Sequence, residues 1–132
     1  SHFAKRQGIG LQADILDNGL VHVDPVQIGT ALTNLVKNAV EASVFGQTVR
    51  VTTVRSNGFF VIKVLDEGPA LSSAAQSAIF RPLYTQKKHG LGLGLSVSKS
   101  LVENNGGKLH YEAQPLKCFS MHLPLAEQED VA

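Results

Sequence analysis

The chain has 132 residues, a formal net charge of +1 and a single cysteine, with 43% apolar and 17% charged residues. That length suits one domain around one core, and the composition excludes a disordered chain. The near-neutral balance supplies no bulk field toward nucleic acid or an anionic membrane, one cysteine excludes an internal disulfide and a cysteine-built zinc site, and no apolar run reaches the roughly 20 residues of a membrane span. Cys118 is expected to be a small buried hydrophobe. Ser1 and His2 read as a cloning remnant, and with no secretory signal in view the expectation is a cytosolic domain, whether or not its parent is membrane-anchored.

Ile9, Leu11, Ala13 and Ile15 alternate with mostly polar residues, which predicts a strand over residues 9–15. Asp17-Asn18-Gly19 is a turn signal, and residues 21–23 are expected to pair back. Asp24 suits an N-cap, Pro25 the first helical position and Gln27 the reciprocal place in a capping box. Ile28, Leu32, Leu35, Val36 and Ala39 follow at helical spacing and predict one buried stripe. Residues 49–53 form a strand, Ser56-Asn57-Gly58 a hairpin turn, and residues 59–66 the returning strand, with Phe60, Ile62 and Val64 on one face until Pro69 breaks it. Ser73-Ala74-Ala75-Gln76 reads as the cap of a short helix ending near Phe80. Leu95, Val97, Leu101 and Val102 mark a third helix, stopped by Asn105-Gly106-Gly107. Strands over 108–113 and 118–123 close the chain. The order predicts a single α+β domain over residues 1–132, a two-layer sandwich whose mixed, mostly antiparallel sheet is covered on one face by about three helices.

Four stretches carry chemistry. Gly90-Leu91-Gly92-Leu93-Gly94-Leu95 stands directly before a helix. Alternate glycines let backbone approach a ligand, and the helix N-terminus offers free N–H groups and a positive dipole end, a cradle for phosphates. The stretch lacks the Walker A ending, and a plain hinge before a helix is its other reading. Asn34, Lys37, Asn38 and Glu41 lie on the capped helix, and Asn34, Asn38 and Glu41 share one face. Amide oxygens suit a Mg²⁺ held chiefly by substrate phosphates, and a solvated helix face is the alternative. Asp66-Glu67-Gly68 closes an apolar strand, where a buried carboxylate needs a donor such as a purine amine, or else serves as a turn or cap. Residues 80–87 are polar and broken by Pro82, a loop able to close over a nucleotide with Thr85 and Lys87, or an ordinary surface loop. None of the five histidines stands in a pattern that suggests a catalytic triad.

In this order and spacing the four stretches resemble the boxes of the histidine-kinase members of the GHKL ATPases. Asn34 to Ala39 resembles the N box, Asp66 to Ala70 the first glycine box, Phe80 to Lys87 the F box and Gly90 to Leu95 the second glycine box. The wording Asn38-Ala39-Val40-Glu41-Ala42 is similar to the nitrogen- and oxygen-sensing subfamily. The resemblance covers about Asp24 to Leu125 and implies the Bergerat sandwich. It also implies a role: binding MgATP and presenting its γ-phosphate to a histidine on a separate dimeric helical domain, with a response regulator downstream.

By the same resemblance Asp66 binds the adenine amine and Gly68 lets the base approach. Asn38, assisted by Asn34, coordinates Mg²⁺; Lys87 and the amides around Gly92, Leu93, Gly94 and Leu95 hold the phosphates; and Lys37, Glu41, Ala70, Thr85, Gly90 and Leu91 complete the expected ATP-binding set. Residues 72–89 correspond to a lid over the nucleotide. No catalytic residue is expected in the chain itself, because no histidine resembles the phosphoacceptor motif; the isolated domain is expected to be a monomer without nucleic-acid or direct membrane contact. Asn34 stands where the hydrolysing relatives have a glutamate base, which also argues against a serine kinase of the anti-sigma-factor type. Leu83 replaces a usual aromatic. Ala70 replaces a glycine, needed either for a left-handed backbone or for space, and it supports the alternative of a degenerate nucleotide-binding scaffold acting by protein contacts.

Overall fold

The hairpin read around Asn57-Gly58 becomes the middle of the sheet. In a computed structural model, which describes residues 8–81, 94–113 and 115–126, β2 (Thr48–Ser56) and β3 (Phe59–Asp66) pair antiparallel across that turn. β3 pairs with β5 (Lys117–Pro124), and β5 with β4 (Lys108–Glu112), both antiparallel. β1 (Gly10–Ile15) joins the other edge of β2 in parallel, giving the order β1-β2-β3-β5-β4 with β3 at the centre. The sheet is therefore mixed and mostly antiparallel, as expected.

Residues 21–23 do not pair back on β1. The Asp17 carboxylate accepts from the Arg55 N–H at 2.8 Å and its carbonyl from the Thr53 hydroxyl at 2.9 Å, which steers the chain across the end of β2. Val21 instead makes one antiparallel bridge with Leu125, beyond β5.

Three helices lie among the described residues: α1 (Pro25–Glu41), α2 (Ser73–Ala78) and α3 (Gly94–Asn104). Asp24 caps α1, accepting from the Val26 and Gln27 N–H groups at 2.9 and 3.1 Å. Gln27 does not return the bond that a capping box requires. Asn105, at the end of α3, takes that place. Its Oδ1 accepts from the Asp24 N–H at 2.8 Å, and its Nδ2 donates to Gln27 Oε1 at 2.9 Å. α3 stops in a Schellman motif. Gly106, at φ 80°, has the left-handed backbone the motif needs, and the Gly106 and Gly107 N–H groups donate to Glu103 and Val102 carbonyls at 3.0 Å each. The cap of α2 is Ser72, one residue before the expected Ser73, because its hydroxyl accepts from the Ala75 N–H at 3.1 Å.

The core fills the space between helices and sheet. α1 buries Ile28, Ala31, Leu35, Ala39 and Val40, and α3 buries Leu95, Ser98 and Val102, against Val49, Val64, Leu109, Phe119, Met121 and Leu123. Each large apolar side chain buried this way contributes about 1.5–3 kcal/mol relative to exposure. Leu32 and Val36 border the stripe and are only partly buried, while Ala31 and Val40, not foreseen, lie inside it. On β1 the alternation is real but uncovered: Leu11 and Ile15 share a face with Val49 and Thr53 yet are 40% and 60% exposed at this sheet edge.

Candidate functional site

The candidate site lies where the C-terminal half of α1, the end of β3 and the start of α3 meet. Two contacts set the helices antiparallel: Asn105 against Asp24 and Gln27, and the buried Ser98 hydroxyl donating to the Ala31 carbonyl at 3.1 Å. Carrying that register one turn further brings Gly94 and Leu95 alongside the stretch of α1 that holds Asn34 and Asn38. Leu95 is buried in the core and fixes this first turn, while Gly94 is exposed. Asn34 and Asn38 are half-buried, one turn apart on one face, whereas Lys37 and Glu41 are exposed.

The turn after β3 abuts the end of α1. A methyl group built on Gly68 would lie 2.8 Å from Asp66 Oδ1, 3.0 Å from the Ala42 carbonyl that closes α1, and 3.3 Å from Lys117 Nζ. The position therefore needs glycine for space. Glu67 holds the turn from outside, accepting from the Thr48 N–H at 2.8 Å. Beyond it the Leu71 N–H donates to the Tyr111 hydroxyl at 2.8 Å, which ties the segment to β4.

Asp66 is 1% exposed, fully buried at the end of the central strand. Its Oδ1 accepts from the Gly68 N–H at 2.8 Å and lies 3.3 Å from Lys117 Nζ. Its Oδ2 is buried and has no hydrogen-bond partner among the described residues. Burial pushes the Asp66 carboxyl above the usual carboxylate range, and the Lys117 ammonium and the Gly68 N–H oppose that shift. An orphaned buried oxygen is costly to leave unmade and points to a donor that a ligand brings. Lys117 escaped the sequence reading, which began its strand at Cys118. The available signal was the alternation Lys117, Phe119, Met121, Leu123, with a cation heading an apolar face.

Ala70 is exposed, and among the described residues only Asn57 is a non-glycine with positive φ. The left-handed requirement for glycine does not apply at Ala70, which leaves only the steric reason. The start of the expected lid is anchored in the core: Ala75 and Ile79, which the sequence did not single out, are buried, and Phe80, an anchor its aromatic ring suggests, meets Phe119 edge-on at 6.1 Å. Thr85, Lys87, Gly90, Leu91, Gly92 and Leu93 lie outside the described residues. Cys118 is buried, as expected, with its thiol pushed up to about 11 by desolvation.

Residues 23–127 match the family of histidine kinase-, DNA gyrase B- and HSP90-like ATPases. The chain belongs to this ATPase family. The ATPase domain is 34% identical over 94% of its length to the adaptive-response sensory kinase SasA of Prochlorococcus marinus, of which it covers 35%. It is 33% identical over 95% of its length to the sensor protein FixL of Bradyrhizobium diazoefficiens, of which it covers 26%. It is also 33% identical over 77% of its length to the sensory histidine kinase/phosphatase NtrB of Klebsiella oxytoca, of which it covers 33%. The ATPase domain thus spans about a third or less of these relatives. In structure it is similar to the nucleotide-free catalytic domain of the histidine kinase ThkA, with a TM-score of 0.83 and 28% identity, covering 94% of this chain and 84% of that one. The family and these neighbours bear out the α+β sandwich and the histidine-kinase resemblance.

Proposed function

We propose that this ATPase domain binds MgATP and donates the γ-phosphoryl group to a histidine on a separate dimeric helical domain, as one half of a two-component histidine kinase. The observation that carries the reading is the buried, partnerless Asp66 Oδ2 at the end of β3. An exocyclic purine amine supplies the one N–H that this oxygen lacks. Asn38, with Asn34 one turn before it, fits Mg²⁺: two neutral amide oxygens are a sparse donor set, suited to an ion whose remaining ligands are water and phosphate. The Mg²⁺ supplies charge neutralisation for the phosphates. Gly94 and Leu95 at the start of α3, with Gly90 to Leu93, Thr85 and Lys87, form the phosphate side, and Lys37 and Glu41 flank it. Residues 72–89 act as the lid, with the part up to Phe80 anchored through Ala75 and Ile79.

Phosphoryl transfer needs a placed nucleophile, which supplies much of the rate. In this reading the nucleophile belongs to the helical partner domain, and the phosphoryl group passes on to a response regulator. One solved relative, the histidine kinase ThkA, is seen in complex with the response regulator TrrA, at a TM-score of 0.79 and 25% identity. The domain works in the cytoplasm as a monomer; among the described residues no helix is long and apolar enough to cross a membrane. The alternative, a degenerate scaffold, drew on Ala70, whose backbone carries no left-handed strain.

Calorimetry with ATP and GTP tests the reading. A site that leaves a buried acceptor unpaired rejects the analogue lacking the donor, and guanine carries a carbonyl where adenine has its 6-amine, so GTP binds far more weakly and Asp66→Ala removes measurable binding. Equal affinities for the two nucleotides would sink it.

A further inference from the structure

Lys117 heads β5 on the face that carries Phe119, Met121 and Leu123, and it is 6% exposed. The fold alone does not ask for a cation there. Replacing a buried ion pair by apolar residues of similar volume is often neutral or stabilising, whereas removing one partner is costly. In the β3–β5 register Lys117 stands directly opposite Asp66, with Nζ 3.3 Å from Oδ1. Oδ1 therefore faces two donors, Lys117 and the Gly68 N–H, while the equally buried Oδ2 has none among the described residues. The same ammonium lies 3.3 Å from where a Gly68 side chain would begin, at the wall of the turn.

We propose that Lys117 is a positioning residue for the nucleotide base, countering the charge of Asp66 and, with the Gly68 N–H, holding Oδ1 so that Oδ2 alone is presented to the exocyclic amine of a purine. The inference rests on the MgATP reading given above. It assigns Lys117 no contact with the base. Two bonds on one oxygen set the plane and direction of the carboxylate before a ligand arrives, which lowers the ordering cost of binding.

The other titratable groups near this end of the sheet do not replace Lys117. Glu67 accepts from the Thr48 N–H. Glu41 is the last residue of α1 and a carboxylate, and the helix meets Gly68 through the Ala42 carbonyl. Cys118, acted on by Lys63, Glu112 and Asp66, stays neutral in the physiological range because burial raises its thiol to about 11. Without Lys117, burial acts on Asp66 against the Gly68 N–H alone, and the carboxyl takes up a proton at higher pH.

The test is the ATP dissociation constant in saturating Mg²⁺ for the 132-residue chain, Lys117→Met and Lys117→Arg. It is measured between about pH 6.5 and about pH 9 and read as the ratio of variant to wild type, which cancels titration of the nucleotide itself. The expected Lys117→Met ratio is largest at the acid end and falls toward the alkaline end, because losing the ammonium leaves burial to favour the protonated carboxyl. Lys117→Arg restores a flat ratio. Thermal melts confirm that each variant is folded, and Lys117→Gln replaces Lys117→Met if that one is not. A Lys117→Met ratio near unity at every pH overturns the proposal, as does uniform weakening without pH dependence, which is a structural role alone. Tighter binding throughout overturns it too, because the ammonium would then occupy the place of the base. If the wild-type chain fails to bind ATP, the functional reading itself falls and takes this inference with it; wild-type binding with a flat Lys117→Met ratio removes the inference alone.

Discussion

Gly68→Ala adds one methyl group at the tightest point of the site. Its Cβ arrives 2.8 Å from Asp66 Oδ1 and 3.0 Å from the Ala42 carbonyl, against an optimum non-bonded separation of about 3.5–4.0 Å. Neither oxygen yields easily. Ala42 is backbone at the end of a 17-residue helix, and Oδ1 is bound to the N–H of Gly68 itself. Overpacking of this kind costs about 1–3 kcal/mol. For a domain of this size that lowers the melting temperature by roughly 3–12 °C. Displacing Asp66 also weakens a charge-assisted bond of about 1.5–3 kcal/mol, so ATP affinity falls by roughly 10- to 150-fold. Differential scanning fluorimetry and calorimetry read the two effects on one preparation. Gly29→Ala is the control: it lies within α1, nothing stands within 4 Å of its would-be Cβ, and the helix gains about 0.5–1 kcal/mol. The reasoning is refuted if Gly68→Ala melts and binds as the wild type does. A lowered melting point with intact ATP affinity would place the turn outside the nucleotide site.

Asn105→Ala removes the acceptor for the Asp24 N–H and the donor to Gln27; a cost of about 1–2 kcal/mol is expected in denaturant unfolding, because the cap and the α1–α3 bracket go together. Ala70→Gly, at a position with no left-handed backbone, is expected to lower stability by about 0.4–1 kcal/mol through unfolded-state entropy and to leave ATP affinity unchanged within about twofold; a gain of about tenfold in calorimetry would show that the methyl group stands in the way of the base. Cys118 titrates near 9.0 when unfolded and at about 11 when folded. The raised value means that its stabilisation is complete below the unfolded value and is lost as pH rises from about 9 to about 11, by up to about 3 kcal/mol. Unfolding curves for the wild type and Cys118→Ala across that window check the sign, since the variant lacks this part of the slope.

What could be read from the sequence was local. Asp24-Pro25 announced α1 because a cap and its helix are neighbours in the chain, and Asn57-Gly58 announced the hairpin for the same reason. The burial of Asp66 was legible because it ends an apolar strand, and a carboxylate there asks for a donor. What escaped depends on residues far apart. Asn105 completes a cap 81 residues earlier, where the spacing Asp24 to Gln27 had suggested a closed box. Lys117 faces Asp66 only through the β3–β5 register, which no periodicity within either strand fixes. Leu11 and Ile15 obey the period of a half-buried strand, but alternation says which residues share a face and not whether anything covers it.

The place of Asp66 in the sheet has a bearing on fluctuation. β3 is the middle strand of five, paired with β2 from Phe59 to Leu65 and with β5 from Phe59 to Asp66, so that Asp66 ends the strand with Lys117 across from it. Freeing its last residue from that frame means opening pairings that ordinarily break only when the whole domain unfolds. Gly94 and Leu95 sit instead at a helix terminus, where Leu95 is buried and the Ser98 hydroxyl makes its bond a turn away, and helix ends fray at little cost. Under the proposed reading, amide exchange would then report two clocks within one site, a slow one beside the proposed base position and a fast one beside the proposed phosphate position. If the domain binds nucleotide as proposed, an arrangement of that kind keeps the choice of base fixed while the phosphate end is gripped and let go.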